Sequence, residues 1–383
     1  MKQQPTVLHI ITKLELGGAQ KVCLSLVDKL RAENINTLLI SGANGPLVTQ
    51  AQNITQPILL NTMVREISMM GILQEVYNFF YIIHIMYRLK QKHPNLIVHT
   101  HSTKAGLIGR WAALCAGIKR RVHTIHGFGF NNQQPIFIWS IIYILELVTS
   151  FITTRFVCVS SVDYNTGTRL FPRFAQKTSM IRAAIDTKAL YTPAQKTDMT
   201  PQDQTKPFVF GTVSCFKPAK NIPDLIRAFA AVYEKNPNTR LEIIGDGILR
   251  PEIEQLITTY NISHAVILHG WQHDICPYLT LWHAFCLTSL WEGLPCAVVE
   301  ARAQKLPVLC YNTGGISDVI KHNKNGMLFE QGAWKELADA MLHVRNNRNT
   351  YEQLANYADD LSAFSIATMT EQHVSLYRDL ISK

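Results

Sequence analysis

The chain has 383 residues, 47% of them hydrophobic, with 37 Lys/Arg against 28 Asp/Glu and a net charge of +9. That length exceeds one ordinary core and suits two domains of roughly 150–200 residues. Eight cysteines stand singly, with no Cys-x-x-Cys and no Cys/His group at zinc spacing, which argues against a disulfide framework or a zinc finger and fits a reducing cytosol.

No signal peptide is expected, because the apolar start at 7–12 is short and runs into Lys13 and Glu15. Residues 7–12 read as a strand, followed by Gly17-Gly18 and a helix over 19–31, then a strand at 37–40. Residues 66–92 form a long helical stretch rich in Phe, Tyr and Met, and 96–100, 122–125 and 156–159 read as short buried strands. The apolar run 136–152 holds 17 residues with Glu146 inside. It falls at the short limit for a membrane span, so a helix lying on the protein or on a membrane surface is expected.

A polar segment at 191–207 carries three prolines and reads as a linker. The alternation then restarts. Strands are expected at 208–213, 241–244, 266–268, 284–287, 308–310 and 327–329, with helices at 222–234, 250–258 and 296–304 and a mostly helical end from 333 to 382. Such alternation predicts an α/β chain of two Rossmann-like doubly wound parallel-sheet domains in tandem, facing across a cleft, with ligands outside the carboxyl ends of the strands. The expected domains are 1–190, 208–364 and a last helix at 365–383 that crosses back onto the first. Residues 1–190 hold 20 Lys/Arg against 8 Asp/Glu, a net +12, and residues 191–383 hold 17 against 20, a net −3. Two halves of opposite charge point to different partners.

The most informative segment is 289–300, Ser-Leu-Trp-Glu-Gly-Leu-Pro-Cys-Ala-Val-Val-Glu. Pro295 suits a first helical position, and the amides from Gly293 through Leu294, Cys296 and Ala297 would face an anion, phosphate above all. Glu292 and Glu300 flank that helix start, and carboxylates accept from sugar hydroxyls. Phosphates between two sugars describe a nucleotide-sugar.

Other loops follow strands in the same manner. Lys217 and Lys220 stand between a strand and a helix, where ammonium groups can neutralise a diphosphate. Gly245-Asp246-Gly247 and Asn312-Thr313-Gly314-Gly315 are further loops with room at the backbone. His126 follows a strand directly and is placed to meet a ligand, or is a structural histidine. His99 and His101 face one side of a strand and could bind metal. No third ligand stands at a recognised spacing, so satisfied polar groups at a strand end are the expected reading. There is no Asp-x-Asp, P-loop, Gly-x-Ser-x-Gly or His-Glu-x-x-His. Gly17-Gly18 is not Gly-x-Gly-x-x-Gly, which argues against a nicotinamide dehydrogenase.

In their order along the chain these motifs resemble the retaining nucleotide-sugar glycosyltransferases of GT-B architecture, family 4, of the bacterial polysaccharide and lipid-linked-oligosaccharide type. The resemblance rests on Gly17-Gly18-Ala19-Gln20, the run from His99 to Gly129, Lys220-Asn221, Gly245-Asp246-Gly247, Glu292-Gly293-Leu294-Pro295, Glu300 and Gly314-Gly315. It implies that Glu300 holds the ribose and Glu292 the transferred sugar, and that Lys220 and the amides after Gly293 meet the departing diphosphate. It also implies that His126 touches the donor sugar and that Gly18 lets the diphosphate approach. No metal and no cofactor is implied, the nucleotide-sugar being a substrate, and the diphosphate itself can take the acceptor's proton. The family's second phosphate cation, an arginine, is replaced here by Cys215, with Lys217 two residues on as its substitute. Asp318 stands where glutamate is usual.

The implied acceptor is polyprenyl-diphosphate-linked or polysaccharide, bound by the first domain, where Lys119, Arg120, Arg121 and Arg155 supply positive charge. Together with the apolar segments 136–152 and 76–87, these residues would dock a cytoplasmic enzyme peripherally on the inner leaflet, unless both helices simply pack against the sheet. Nucleic acid is not an expected partner, because no base-reading pattern is visible. The competing readings are a non-enzymatic anion-binding protein and a GT-B epimerase or phosphorylase.

Overall fold

The computed structural model describes residues 4–61, 69–186 and 206–382. The start of the helix expected from residue 66 and most of the linker at 191–207 lie outside the described residues. Two compact units stand out, Met1–Ala184 with Ser362–Lys383, and Ile185–Leu361.

In the first unit, β1 (Thr6–Ile11), β2 (Asn36–Gly42), β3 (Ile58–Leu60), β4 (Leu96–His101), β5 (Arg120–Ile125), β6 (Arg155–Cys158) and β7 (Thr178–Met180) form a parallel sheet. The strand order is β3-β2-β1-β4-β5-β6-β7. β1 and β4 are buried along their whole length, as strands covered on both faces must be. The helices are α1 (Gly18–Ala32), α2 (Val48–Ile54), α3 (Met69–Lys92), α4 (Thr103–Cys115), α5 (Ile136–Ile152), α6 (Ser161–Leu170) and α7 (Phe174–Lys177). In α1, Val22, Cys23, Leu26, Val27 and Leu30 recur at helical spacing and are buried.

The second unit holds β8 (Phe208–Val213), β9 (Thr239–Ile244), β10 (Val266–Gly270), β11 (Ala284–Leu287), β12 (Val308–Tyr311) and β13 (Gly326–Phe329). They form a parallel sheet of order β10-β9-β8-β11-β12-β13. Its helices are α8 (Ile222–Lys235), α9 (Arg250–Thr259), α10 (Cys276–Leu281), α11 (Cys296–Ala303), α12 (Trp334–Asn346) and α13 (Arg348–Ala355). Phe208, Phe210, Phe229, Leu241 and Met341 belong to one continuous core here. The last helix, α14 (Ile366–Ser382), belongs to the first unit and packs on α1.

The two faces of the first sheet carry different chemistry. α4 covers one face, where a Cβ on Gly106 would meet the His123 ring and one on Gly109 would meet Thr100 and Ile10. On the other face, His9 pairs in register with His99, and His101 and Thr124 are likewise in register. α14 lies there, with Tyr377 Oη 2.6 Å from His99 Nδ1.

α5 spans the residues expected and turns a mixed face inward. Its buried residues are Glu146, Thr149 and Ser150, with Trp139, Ile142, Tyr143 and Leu147 partly buried against the core, whereas Ile136, Phe137 and Phe151 are 76%, 68% and 65% exposed. Glu146 is buried because Arg110 of α4, itself fully buried, meets it at 2.7 Å. Arg110 also donates to Thr153 Oγ1 at 3.0 Å and to the Gly106 carbonyl at 2.7 Å. Among the described residues, no helix is long and apolar enough to cross a membrane.

Candidate functional site

In the second unit the chain leaves β8 into a loop and a 3₁₀ turn, Pro218–Lys220, before α8 begins. Lys220 ends that turn, and its Nζ lies 2.5 Å from Glu292 Oε1. Burial weighs against the ammonium charge, yet the Glu292 carboxylate outweighs it and holds Lys220 above the ordinary lysine range. The two loops are stitched by backbone as well. Leu290 N–H donates to the Ala219 carbonyl at 2.8 Å, and Thr288 Oγ1 donates to the Asn221 carbonyl at 2.8 Å. The side chains assigned to phosphate and to sugar thus form one ion pair.

Behind Glu292, Gly293, Leu294 and Pro295 are buried, and α11 starts at Cys296. Pro295 stands one place earlier than the sequence suggests, capping the helix with extended backbone. Cys296, Ala297 and Glu300 are partly exposed, while Val298, Val299, Ala301 and Arg302 are buried. Residues three and four apart share a helix face, so the open stripe of α11 carries Glu300 beside the first-turn amides. Arg302 pins the back of the helix. It contacts Asp359 at 2.7 Å and donates to the carbonyls of Leu306 and Leu354.

Two glycines are required by geometry. Gly314 has φ +55, and a Cβ there would lie 2.1 Å from the Glu292 carbonyl. Gly315 N–H donates to the Gly293 carbonyl at 2.6 Å, so the Gly-Gly loop braces the backbone that carries Glu292. Gly245 has φ +130 and would clash with the Ser214 carbonyl, so it lets the loops after β8 and β9 close on each other. Lys217 caps the 3₁₀ turn and is partly exposed, as is Cys215. Sequence reading passed over two hydroxyls close in the chain to these groups: Ser214 Oγ, just after β8, and Ser289 Oγ are buried without a hydrogen-bond partner.

In the first unit, Gly17 caps α1 and Gly18 opens it. Gly17 has extended backbone, and a side chain there would meet only the flexible end of Gln20, so neither conformation nor packing requires glycine at that place. His126 follows β5 and is partly exposed. Its Nε2 lies 3.2 Å from His101 Nδ1, and His101 Nε2 lies 3.2 Å from His9 Nδ1. Ser102, next in chain, has φ +65, a strained conformation for serine, and its hydroxyl meets Thr12 Oγ1 at 2.7 Å. His99 is saturated, with Thr124 Oγ1 2.7 Å from Nε2 and Tyr377 Oη at Nδ1.

Burial keeps this row neutral. Desolvation lowers His9 to about 3 and His126 and His373 to about 4, and holds His99 and His101 well below the ordinary histidine range; the charge on neighbouring histidines adds to this at all but His373. Tyr377 and Cys23, which share the region, are both pushed up by burial. At His9, His126 and His373 the unfolded chain binds its proton near pH 6.5 and the folded chain only near 3–4, and His99 and His101 shift in the same direction. The histidines' contribution to stability is therefore complete above about 6.5 and is lost as pH falls toward 4. Thermal melts between pH 7.5 and 4.5 are expected to show the melting temperature of the first unit falling steeply below about pH 6.

The basic residues lie at the other end of the strands, where β5 and β6 begin. Arg120 donates to the Leu380 carbonyl at 2.8 Å and Arg155 meets Asp379 at 3.4 Å, so both fasten α14. Arg121 donates to the carbonyls of Ile152 and Ile118, and Lys119 is exposed. The structure does not bring these four residues together with His126, because they sit at opposite ends of the strands.

The family model described as glycosyl transferases group 1 matches residues 195–360, and that of glycosyltransferase family 4 matches residues 16–189. The chain belongs to the family 4, group 1 glycosyltransferases. An Escherichia coli relative, UDP-Gal:alpha-D-GlcNAc-diphosphoundecaprenol alpha-1,3-galactosyltransferase, is 28% identical over 98% of this glycosyltransferase and 97% of its own length. The Staphylococcus aureus capsular polysaccharide biosynthesis glycosyltransferase CapM is 22% identical over 100% and 99%. Among solved structures, Anabaena HepE in complex with UDP-glucose superposes with a TM-score of 0.79 at 20% identity, over 99% of this chain and 100% of that one. The two parallel-sheet units are thus those of the GT-B fold.

Proposed function

We propose that this glycosyltransferase moves a hexose from a UDP-sugar to a lipid-diphosphate-linked acceptor in bacterial surface-glycan synthesis, with retention of configuration and without a catalytic metal. The Lys220–Glu292 pair at 2.5 Å carries the reading. A diphosphate arriving at the α11 amides takes over Lys220, and the released Glu292 then accepts from hydroxyls of the sugar. Glu300, on the open stripe of α11, accepts from the ribose. The acceptor oxygen attacks the anomeric carbon on the face the diphosphate leaves. The bond to the phosphate oxygen breaks, and the acceptor's proton passes to the departing diphosphate. Lys220 and the helix amides stabilise the charge that develops. His126 is offered as a neutral hydrogen-bonding group for a sugar hydroxyl. The full-length likeness to an enzyme named for UDP-Gal and a diphosphoundecaprenol acceptor supports this donor and acceptor class.

The exposed apolar side chains of α5 support peripheral attachment to the cytoplasmic leaflet. α4 packs against both α3 and α5, and Tyr77 and Phe80 of α3 are exposed like Phe137 and Phe151 of α5. Exposed aromatic and aliphatic side chains in this number mark a contact site, and a polyprenyl acceptor resides in lipid. The protein is expected to float with anionic vesicles at moderate salt, and the Phe137→Glu/Phe151→Glu double variant to remain unbound while its circular dichroism stays unchanged. Failure of the unmodified chain to bind would contradict the membrane assignment. Donor use is tested by thermal shift with UDP-, GDP- and dTDP-sugars. Only UDP-sugars are expected to raise the midpoint, in proportion to affinity.

A further inference from the structure

The histidine row contains a group that the transfer reaction does not use. His9 of β1, Cys23 of α1 and His101 of β4 are 0%, 0% and 1% exposed, and one ligand atom from each lies within 4.8 Å of the others. His9 Nδ1 and His101 Nε2 are 3.2 Å apart. That is close to the edge of about 3.3 Å that two imidazole nitrogens span on a tetrahedral ion with bonds of about 2.0–2.1 Å. His9 Nε2 has no hydrogen-bond partner, so no other protein group fixes the tautomer of His9 from that side. With the proton on Nε2, His9 Nδ1 presents its lone pair beside His101 Nε2, which is the form a cation takes.

We propose that His9, Cys23 and His101 form a buried site for a divalent transition-metal ion of the zinc class. Imidazole and thiolate select such an ion over magnesium or calcium, which take oxygen. On binding, the Cys23 thiol gives its proton to solvent and the sulfur bonds to the metal. The ion ties β1, β4 and α1 together, as a structural zinc does. Bound through Nε2, His101 keeps its Nδ1–H to donate to His126 Nε2, which fixes the protonated nitrogen of His126 from behind. Spacing pointed to His99 and His101 but not to the other ligands, because the ligands come from three separate elements. His99, the neighbour that spacing did single out, has both nitrogens engaged.

The test does not depend on activity. The full chain, stripped with a chelator and kept reduced with a non-thiol reductant, is titrated with Co²⁺. One equivalent is expected to bind, with an intense near-ultraviolet thiolate-to-cobalt charge-transfer band that Zn²⁺ abolishes. Cys23→Ala and Cys23→Ser are each expected to lose the band while retaining the far-ultraviolet circular dichroism of the parent. His9→Gln is expected to weaken binding about 10–100-fold, and Cys115→Ser, at an exposed thiol, to change nothing. Two outcomes overturn the proposal: no stoichiometric Co²⁺ binding, or a charge-transfer band that survives in a folded Cys23 variant.

Discussion

Replacing Lys220 with alanine is expected to lower kcat by roughly 10²–10³, the loss that follows removal of one preorganised donor to a developing anion. Lys220 meets Glu292 at 2.5 Å, so the substitution acts twice. It removes the cation that faces the leaving diphosphate, and it leaves the Glu292 carboxylate, 9% exposed, without its partner. Donor binding should therefore weaken along with turnover. Glu292→Gln separates the two effects, because it keeps the side chain's shape and an acceptor oxygen while freeing Lys220. Its donor affinity is expected to fall less than that of Lys220→Ala. Steady-state kinetics with calorimetric donor binding measure both. Kinetics of Lys220→Ala equal to those of the parent would remove Lys220 from the site.

The second large effect concerns stability. Arg110→Ala is expected to destabilise the first unit by about 3–5 kcal/mol, because it strands a buried carboxylate. Arg110 is fully buried and Glu146 nearly so, at 2.7 Å, and the same guanidinium holds Thr153 and the Gly106 carbonyl. The double variant Arg110→Met/Glu146→Leu should recover most of that loss, since apolar replacement of a buried pair is often neutral. Urea unfolding of the two variants measures this. A loss under about 1 kcal/mol in Arg110→Ala would show a solvated pair of surface type.

Most of the strands were legible because long apolar runs such as Val7 to Ile11 and Phe208 to Val213 are bounded by polar or glycine-containing turns. Boundaries moved by one or two residues. Elements without a strong pattern escaped notice. α2 buries only Ala51, and β3 and β7 are three-residue edge strands, too short to show alternation. α6 begins at a Ser160 cap that accepts from the Asp163 N–H, a signal that was present but unread.

At the site, the motif order identified the loops, but the pairing did not follow from it. Lys220 and Glu292 are 72 positions apart, and only folding of β8 beside β11 brings them together. The basic residues show the opposite case. Arg120 and Arg155 look alike in sequence to ligand cations, yet they fasten α14. The orientation of 136–152 was hidden as well, because the run is apolar on most faces and the partners that bury its Glu146 and Thr149, Arg110 and Trp111, stand on α4.

Product analysis tests the central claim most directly. Purified protein is incubated with UDP-hexoses and a polyprenyl-diphosphate-linked N-acetylglucosamine in anionic vesicles, with chelator present, and the product is read by mass spectrometry and NMR. The expected result is an acceptor heavier by one hexosyl unit, joined with the donor's own anomeric configuration and formed without added metal. Inverted configuration, or no transfer from any UDP-hexose by a folded protein that binds the vesicles, would contradict it.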